Sequence, residues 1–542
     1  MNKVRLILLF VSLFFFLENS AQNNYISTVW VADNGDGTYK NPIINADYSD
    51  PDICRVGDDY YITASSFGCA PAIPILHSKD LVNWKIVNYA MKRVLPDDVF
   101  SKPMHGKGVW APCIRFHNNE FFIFWGDPDY GIYMIKTKDP LGDWSDPMLV
   151  TAGKGLIDPS PLWDDDGRVY LVHGWAGSRA GLNSILTVTE LSEDASKVVG
   201  ETVLVYDGMP QGNHTTEGPK FYKRNGYYYI MAPAGGVEQG WQIAMRSKNV
   251  YGPYECRTVM AQGKSSINGP HQGGWVETQT GESWFVNFQD KGAYGRVIHL
   301  QPMKWVKDWP VIGVDKDGDG CGEPVMSYKK PNVGKTYSIE TPAESDEFNS
   351  EKLGLQWQWH ANPKQSTGMP SRLGFLRLYA EFIPDDFVNF WQVPNLLLQK
   401  TPANEFLATT KVDFYSKTTD EKTGLIIMGW NYSYVALVKK DAGFELQQIV
   451  CIDAEKKSQE TLMAAKAVAE SRIYLRVKVK SGAMCHFSYS IDGKTFIAFG
   501  KPFKARQGKW IGAKVGLFCL NPLKTGARGY ADYDWFRIEK NN

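Results

Sequence analysis

From about residue 50 the chain alternates apolar and polar side chains with period two, and turn-forming Gly, Asn and Asp punctuate the alternation. Five aromatic-rich runs stand out: "YYITAS" (60–65), "EFFIFWG" (120–126), "RVYLVHG" (168–174), "GYYYIMAP" (226–233) and "SWFVNFQ" (283–289). Each follows a polar turn, and several of the units close on a short charged segment ending in an aromatic, as in "HSKDLVNW" and "KTKDPLGDW". A unit recurring about every 50–60 residues has the length of a four-stranded propeller blade, so the pattern predicts five blades around a central funnel. The repeat stops near residue 325, where "KKPNVGKTYSIETPAESDEF" supplies a Pro- and Lys-containing connection. Strand-like runs then resume with different spacing, among them "EFLATTKVDFY" and "TGLIIMGWNYSYVALVKK". The expected fold is all-β: a five-bladed β-propeller over 22–330, a linker at 331–345, and a jelly-roll-type β-sandwich over 346–542.

A chain of 542 residues has room for two such cores. Lys plus Arg and Asp plus Glu both number 59, which leaves no net basic charge for a phosphate backbone and argues against nucleic acid as a partner. Aromatics make up 13%, with 18 Trp and 27 Tyr, an excess that suits stacking on sugar rings. Residues 1–21 read as an export signal: Lys3 and Arg5, an apolar run from Leu6 to Leu17, and small residues before a cut after Ala21. The expectation is a periplasmic or secreted protein without a membrane anchor. The eight cysteines show no metal-binding spacing, and any pairing after export is not readable from the sequence.

Cleaving a glycosidic bond takes two carboxyl groups, one protonated and one ionised. Three acids sit at equivalent places ahead of their blades' aromatic strands: Asp50 before Pro51, Asp158 before Pro159, and Glu217 before Gly218 and Pro219. Blade symmetry carries all three to one mouth of the funnel. Asp47 and Asp52 lie close to Asp50 in sequence and compete with it for the same role.

The stretches "SDPDICRVGDDYYI", "GVWAPCIRF", "LIDPSPLWDDDGRVYLV", "TEGPKFYKRNGYYYI" and "GRVIHLQPMKW" together resemble glycoside hydrolase family 43 over roughly residues 40–325. The later region resembles the concanavalin-like sandwich carried by β-xylosidase-type members. The resemblance implies Asp50 as general base, Glu217 as general acid, Asp158 as the aspartate that tunes the acid, and inversion at the anomeric carbon. It departs from the family in one respect: many members have Ser where this chain has Asp52. It further implies substrate contacts from Arg296, Trp110 and Phe67, with Trp175 a weaker candidate, and places His271 where several members hold a water or calcium on the axis. No cofactor is expected for catalysis, and no metal is assigned to the site.

The activity implied is an exo-acting glycosidase on plant polysaccharide or oligosaccharide, with α-L-arabinofuranosyl as the first expected sugar and β-D-xylosyl as the alternative. A non-catalytic glycan-binding propeller would be expected to lack at least one of the three acids, and none is missing. "DKDGDGCGEP" (315–324) alternates acids as a calcium loop does, but Met326 stands where the closing Glu would be, so a turn is expected. Asp346 and Asp534 are a further candidate pair for a shared structural ion.

Overall fold

The computed structural model describes residues 25–541; the export signal expected at 1–21 lies outside the described residues. Five four-stranded antiparallel sheets follow one another, each with its strands in sequence order. They are blades I to V, and the first strand of each lies nearest the axis: Asp52–Val56, Trp110–His117, Leu156–Trp163, Lys220–Arg224 and His271–Glu277.

The near-continuous apolar character of the aromatic runs has a direct structural cause. Each blade's second strand is covered on both faces, so successive side chains serve two different cores. In blade II, Phe121, Ile123 and Trp125 pack against blade I, while Phe122 and Phe124 pack against blade III. Blade IV does the same, with Ile230 and Ala232 turned toward blade III and Met231 toward blade V. Close packing of five interblade cores is what makes the ring rigid.

The ring closes without a shared blade. Residues 39–48, ahead of blade I, lie along the third strand of blade V (Arg296–Val306). Ile44 and Ile298 exchange both backbone hydrogen bonds, at 3.3 and 3.1 Å, and the Asn41 side chain accepts the Leu300 N–H at 2.9 Å. This seam sets Asp47 and Asp50 directly beside Arg296.

The C-terminal domain is a sandwich of two eight-stranded sheets around one large core. A second apolar cluster lies under Phe390, Val393 and Leu396 on the outer face of one sheet. The sandwich docks on the propeller through backbone pairs: Ala70 with Trp359, at 3.1 and 2.6 Å, and the Ala513 N–H on the Ala293 carbonyl at 2.7 Å. Helix is confined to short turns such as Asp97–Phe100 and Gly177–Ala180. All eight cysteines are unpaired, so no disulfide staples either domain.

Candidate active site

Asp50, Asp158 and Glu217 come together at the start of the innermost strands and line one cavity of about 250 Å³. The local backbone that aims them is unusual. Asp50, Phe67, Ala111, Asp158, Thr215 and Gln272 all line this cavity with φ between 33° and 56°. Left-handed conformations at residues other than glycine cost about 1–3 kcal/mol each and persist only where surrounding structure enforces them. For Ala111, Asp158 and Gln272 the enforcement comes from β-bulges: strand register slips between Trp110 and Cys113, between Ile157 and Ser160, and between His271 and Gly273. Each bulge adds a residue and turns its side chain out of the ladder toward the funnel. Gly126 makes one of them fit, since a Cβ there would lie 2.8 Å from the Ile157 Cα, against the turn that carries Asp158.

Asp50 is buried and fully partnered. Oδ2 accepts hydrogen bonds from Ser49 Oγ at 2.7 Å and Ser65 Oγ at 2.6 Å, and Oδ1 accepts one from Arg296 Nη1 at 3.1 Å. These contacts fix the direction of the carboxyl group. The two competing acids are engaged elsewhere. Asp52 is fully buried lower in the shaft, where Oδ2 pairs with Arg115 at 2.6 Å. Asp47 accepts the backbone N–H of Arg296 on Oδ1 at 2.8 Å and that of Gly512 on Oδ2 at 3.0 Å. Neither lines the cavity.

Asp158 Oδ2 accepts the N–H of Gly218 at 2.7 Å, tying the third acid to the loop that carries Glu217. Gly218 has φ of 57°, and a Cβ there would run into the Gln272 side chain. Burial first, then the charges of Glu217 and Asp50, push the Asp158 carboxyl up to about 8, against the opposing pull of Lys220 and the Gly218 N–H. A carboxyl so desolvated beside other carboxylates keeps its proton at neutral pH. Glu217 is the more accessible of the two, with its side chain 30% exposed and Oε1 2.9 Å from His271 Nε2.

Among the remaining sequence candidates, Arg296, Trp110 and Phe67 line the cavity. Arg296 also donates to Ser49 Oγ at 2.7 Å. His271 is fully buried and acts on Glu217; its Nδ1 has no protein partner among the described residues. Trp175 does not line the cavity and bonds Thr187 Oγ1 at 3.2 Å.

The ion expected between Asp346 and Asp534 is not supported. Asp346 accepts from the N–H of Phe348 and the Trp357 indole, while Asp534 pairs with Lys411 at 2.8 Å. Asp315 accepts the N–H groups of Gly318 and Gly320 at 2.7 and 3.1 Å, as a turn does.

Sequence reasoning missed Trp510. It sits on a sandwich loop yet lines the cavity, 6.4 Å edge-on from the Trp110 ring and over the Arg296 guanidinium at 5.8 Å. Gln272 and Thr215 were missed as well, and no spacing rule would have singled them out.

Comparison with known proteins places this geometry. The profile of the glycosyl hydrolases family 43 matches residues 39–310, and that of the β-xylosidase C-terminal concanavalin A-like domain matches residues 345–539. A Xylanibacter ruminicola protein bearing a β-xylosidase name is 37% identical over 506 residues, covering 93% of this chain and 90% of its own. A non-reducing end α-L-arabinofuranosidase of Bacteroides ovatus is 30% identical, covering 92% and 94% of the two chains. The crystal structure of a xylan β-1,4-xylosidase from Bacillus halodurans superposes with a TM-score of 0.81 at 26% identity, covering 92% of this chain and all of that one.

Proposed function

Since the chain belongs to the glycosyl hydrolases of family 43, we propose that it is an exo-acting, inverting β-D-xylosidase releasing terminal sugars from hemicellulose-derived oligosaccharides. The observation that carries this reading is the convergence of three carboxyl groups in one small cavity capped by Trp510. A cavity of about 250 Å³ has the size for a single terminal sugar.

In the proposed reaction Asp50 takes a proton from a water molecule, and the water oxygen forms a bond to the anomeric carbon. The glycosidic bond breaks on the opposite face, and Glu217 gives its proton to the departing oxygen. Asp158 holds the loop that carries the acid through the Gly218 N–H. Arg296 keeps Asp50 pointed at the water. This scheme requires no cofactor. The remaining His271 nitrogen suits an axial water better than calcium, which prefers a shell of oxygen ligands.

Xylose is preferred here over the arabinofuranose first expected, because most of the related proteins with a named activity carry β-xylosidase names. Arabinofuranose is the second reading, supported by the Bacteroides ovatus relative. Plant material as the source and export as the destination belong to the same proposal.

The test is kcat/KM of the full chain on 4-nitrophenyl β-D-xylopyranoside and α-L-arabinofuranoside. The xyloside should be the better substrate. A tenfold preference for the arabinofuranoside would reverse the order of sugars, and inactivity on both would overturn the reading.

A further inference from the structure

The innermost strands begin at the carboxylate cavity and end at a second one, of about 410 Å³, on the opposite mouth of the propeller. All five blades contribute to it, through residues 53–55, 115–117, 161–163, 221–223 and 275–277. The shaft between the two cavities is closed. Arg115 spans it, donating from Nη1 to Asp52 Oδ2 at 2.6 Å and from Nη2 to Ser160 Oγ at 3.0 Å. The Ile114 and Phe221 N–H groups bond the same two side chains, at 2.9 and 3.0 Å. The second cavity is therefore neither an extension of the first nor a rear channel into it.

Its walls combine aromatic rings with a few polar groups. Phe116 is 37% exposed there, although a phenylalanine at a strand end gains nothing from facing water. Trp163 stacks on His117 at 4.8 Å between ring centres, and Trp275 meets Tyr222 edge-on at 5.3 Å. Arg55 offers a guanidinium whose protein partner is the Gly57 carbonyl at 2.8 Å, and Glu277 offers an exposed carboxylate. Lys223 is already neutralised by Asp164 and Asp165.

A concave site with partly exposed rings and separated donors and acceptors matches the two surfaces of a pyranose. The ring's C–H face stacks on an aromatic, and its equatorial hydroxyls reach the polar groups. Because acidic groups offset the basic ones, the site suits a neutral chain rather than a polyanion. We infer that this mouth is a second, non-catalytic glycan site that takes a stretch of neutral pyranosyl chain. It would hold polymer on the face opposite the one where chain ends are cut. The inference rests on the glycan chemistry of the family and not on which pentose is released.

The experiment is native electrophoresis of the full chain through gels with and without soluble xylan, repeated with dextran sulfate. The paired substitutions Phe116→Ala and Arg55→Ala lie away from the carboxylate cavity, and because Phe116 also touches Phe121 of an interblade core, thermal unfolding of the double variant is measured alongside. Wild type should be retarded by xylan even when the carboxylate cavity is saturated with free xylose. The double variant should bind xylan about tenfold more weakly, the loss expected from one stacking contact of about 1.4 kcal/mol, with kcat and KM on the aryl xyloside unchanged. Retardation that survives the substitutions, that xylose abolishes, or that dextran sulfate reproduces in full would overturn the inference. Absence of retardation with aryl xyloside hydrolysis intact would overturn it while leaving the proposed activity standing.

Discussion

Asp47 joins the two domains at Arg296, the residue that positions Asp50, so replacing it should damage stability and catalysis together. Its two oxygens accept the N–H of Arg296 at 2.8 Å and the N–H of Gly512 at 3.0 Å. Asp47 is itself 4% exposed. Asp47→Ala leaves both N–H groups buried without an acceptor, at about 1–3 kcal/mol each, or about 2–5 kcal/mol once some relaxation is allowed. The catalytic effect follows from what the two strands carry. Arg296 positions Asp50, and Gly512 lies two residues beyond Trp510, which caps the cavity. A misplacement of about 1 Å at such a site costs on the order of a hundredfold in rate. The alanine variant should therefore melt several degrees earlier and lose about 10- to 100-fold in kcat/KM on the aryl xyloside. Asp47→Asn, which keeps one acceptor, should fall between it and wild type. The assay pairs thermal unfolding with steady-state kinetics at a temperature where both proteins are folded. An alanine variant that melts early yet keeps kcat and KM would refute the coupling and leave Asp47 as a structural residue alone.

Further outcomes follow from the same geometry. Burial and the neighbouring acids push the Asp158 carboxyl up to about 8, so kcat/KM should fall as pH rises past about 8, where Asp158 loses its proton. Asp158→Asn removes the group that titrates there and should take that limb out of the pH–rate profile. Trp510→Ala should raise KM for xylobiose by about tenfold with a smaller change in kcat, because it removes a cap on the cavity and no reacting group; an unchanged KM counts against the sandwich as part of the site. Asp50→Asn should abolish hydrolysis of every substrate, and substantial residual activity would reassign the base. Glu217→Gln should lose far more on xylobiose than on an aryl xyloside, whose leaving group needs little protonation.

The blades were legible because a second strand buried on both faces must be apolar at nearly every position, and the turns between strands need Gly, Asn or Asp. The three acids were legible because each blade repeats the same offset, and a fixed offset in a ring becomes proximity. What distinguishes Asp50 from Asp47 and Asp52 was not legible, because it depends on partners far away in the chain: Ser65 and Arg296 for the first, Gly512 for the second, Arg115 for the third. The bulges that turn Ala111, Asp158 and Gln272 into the funnel leave no mark on the alternation, since an extra residue in a strand resembles an ordinary one. Trp510 lay beyond reach for a different reason. It belongs to a loop of the other domain, and only docking brings it over the cavity. Asp346 and Asp534 looked like an ion site because two acids near strands attract that reading, whereas backbone N–H groups and a lysine satisfy them separately.

Proton NMR of the first product tests the central claim most directly. The enzyme is mixed with a 4-nitrophenyl β-D-xyloside in deuterated buffer, and the anomeric signals are followed before mutarotation mixes them. A single displacement by a water activated at Asp50, with Glu217 protonating the leaving oxygen, predicts α-xylose as the initial product and growth of the β form only later. Initial β-xylose would require a covalent glycosyl-enzyme intermediate and would contradict the roles assigned to both residues.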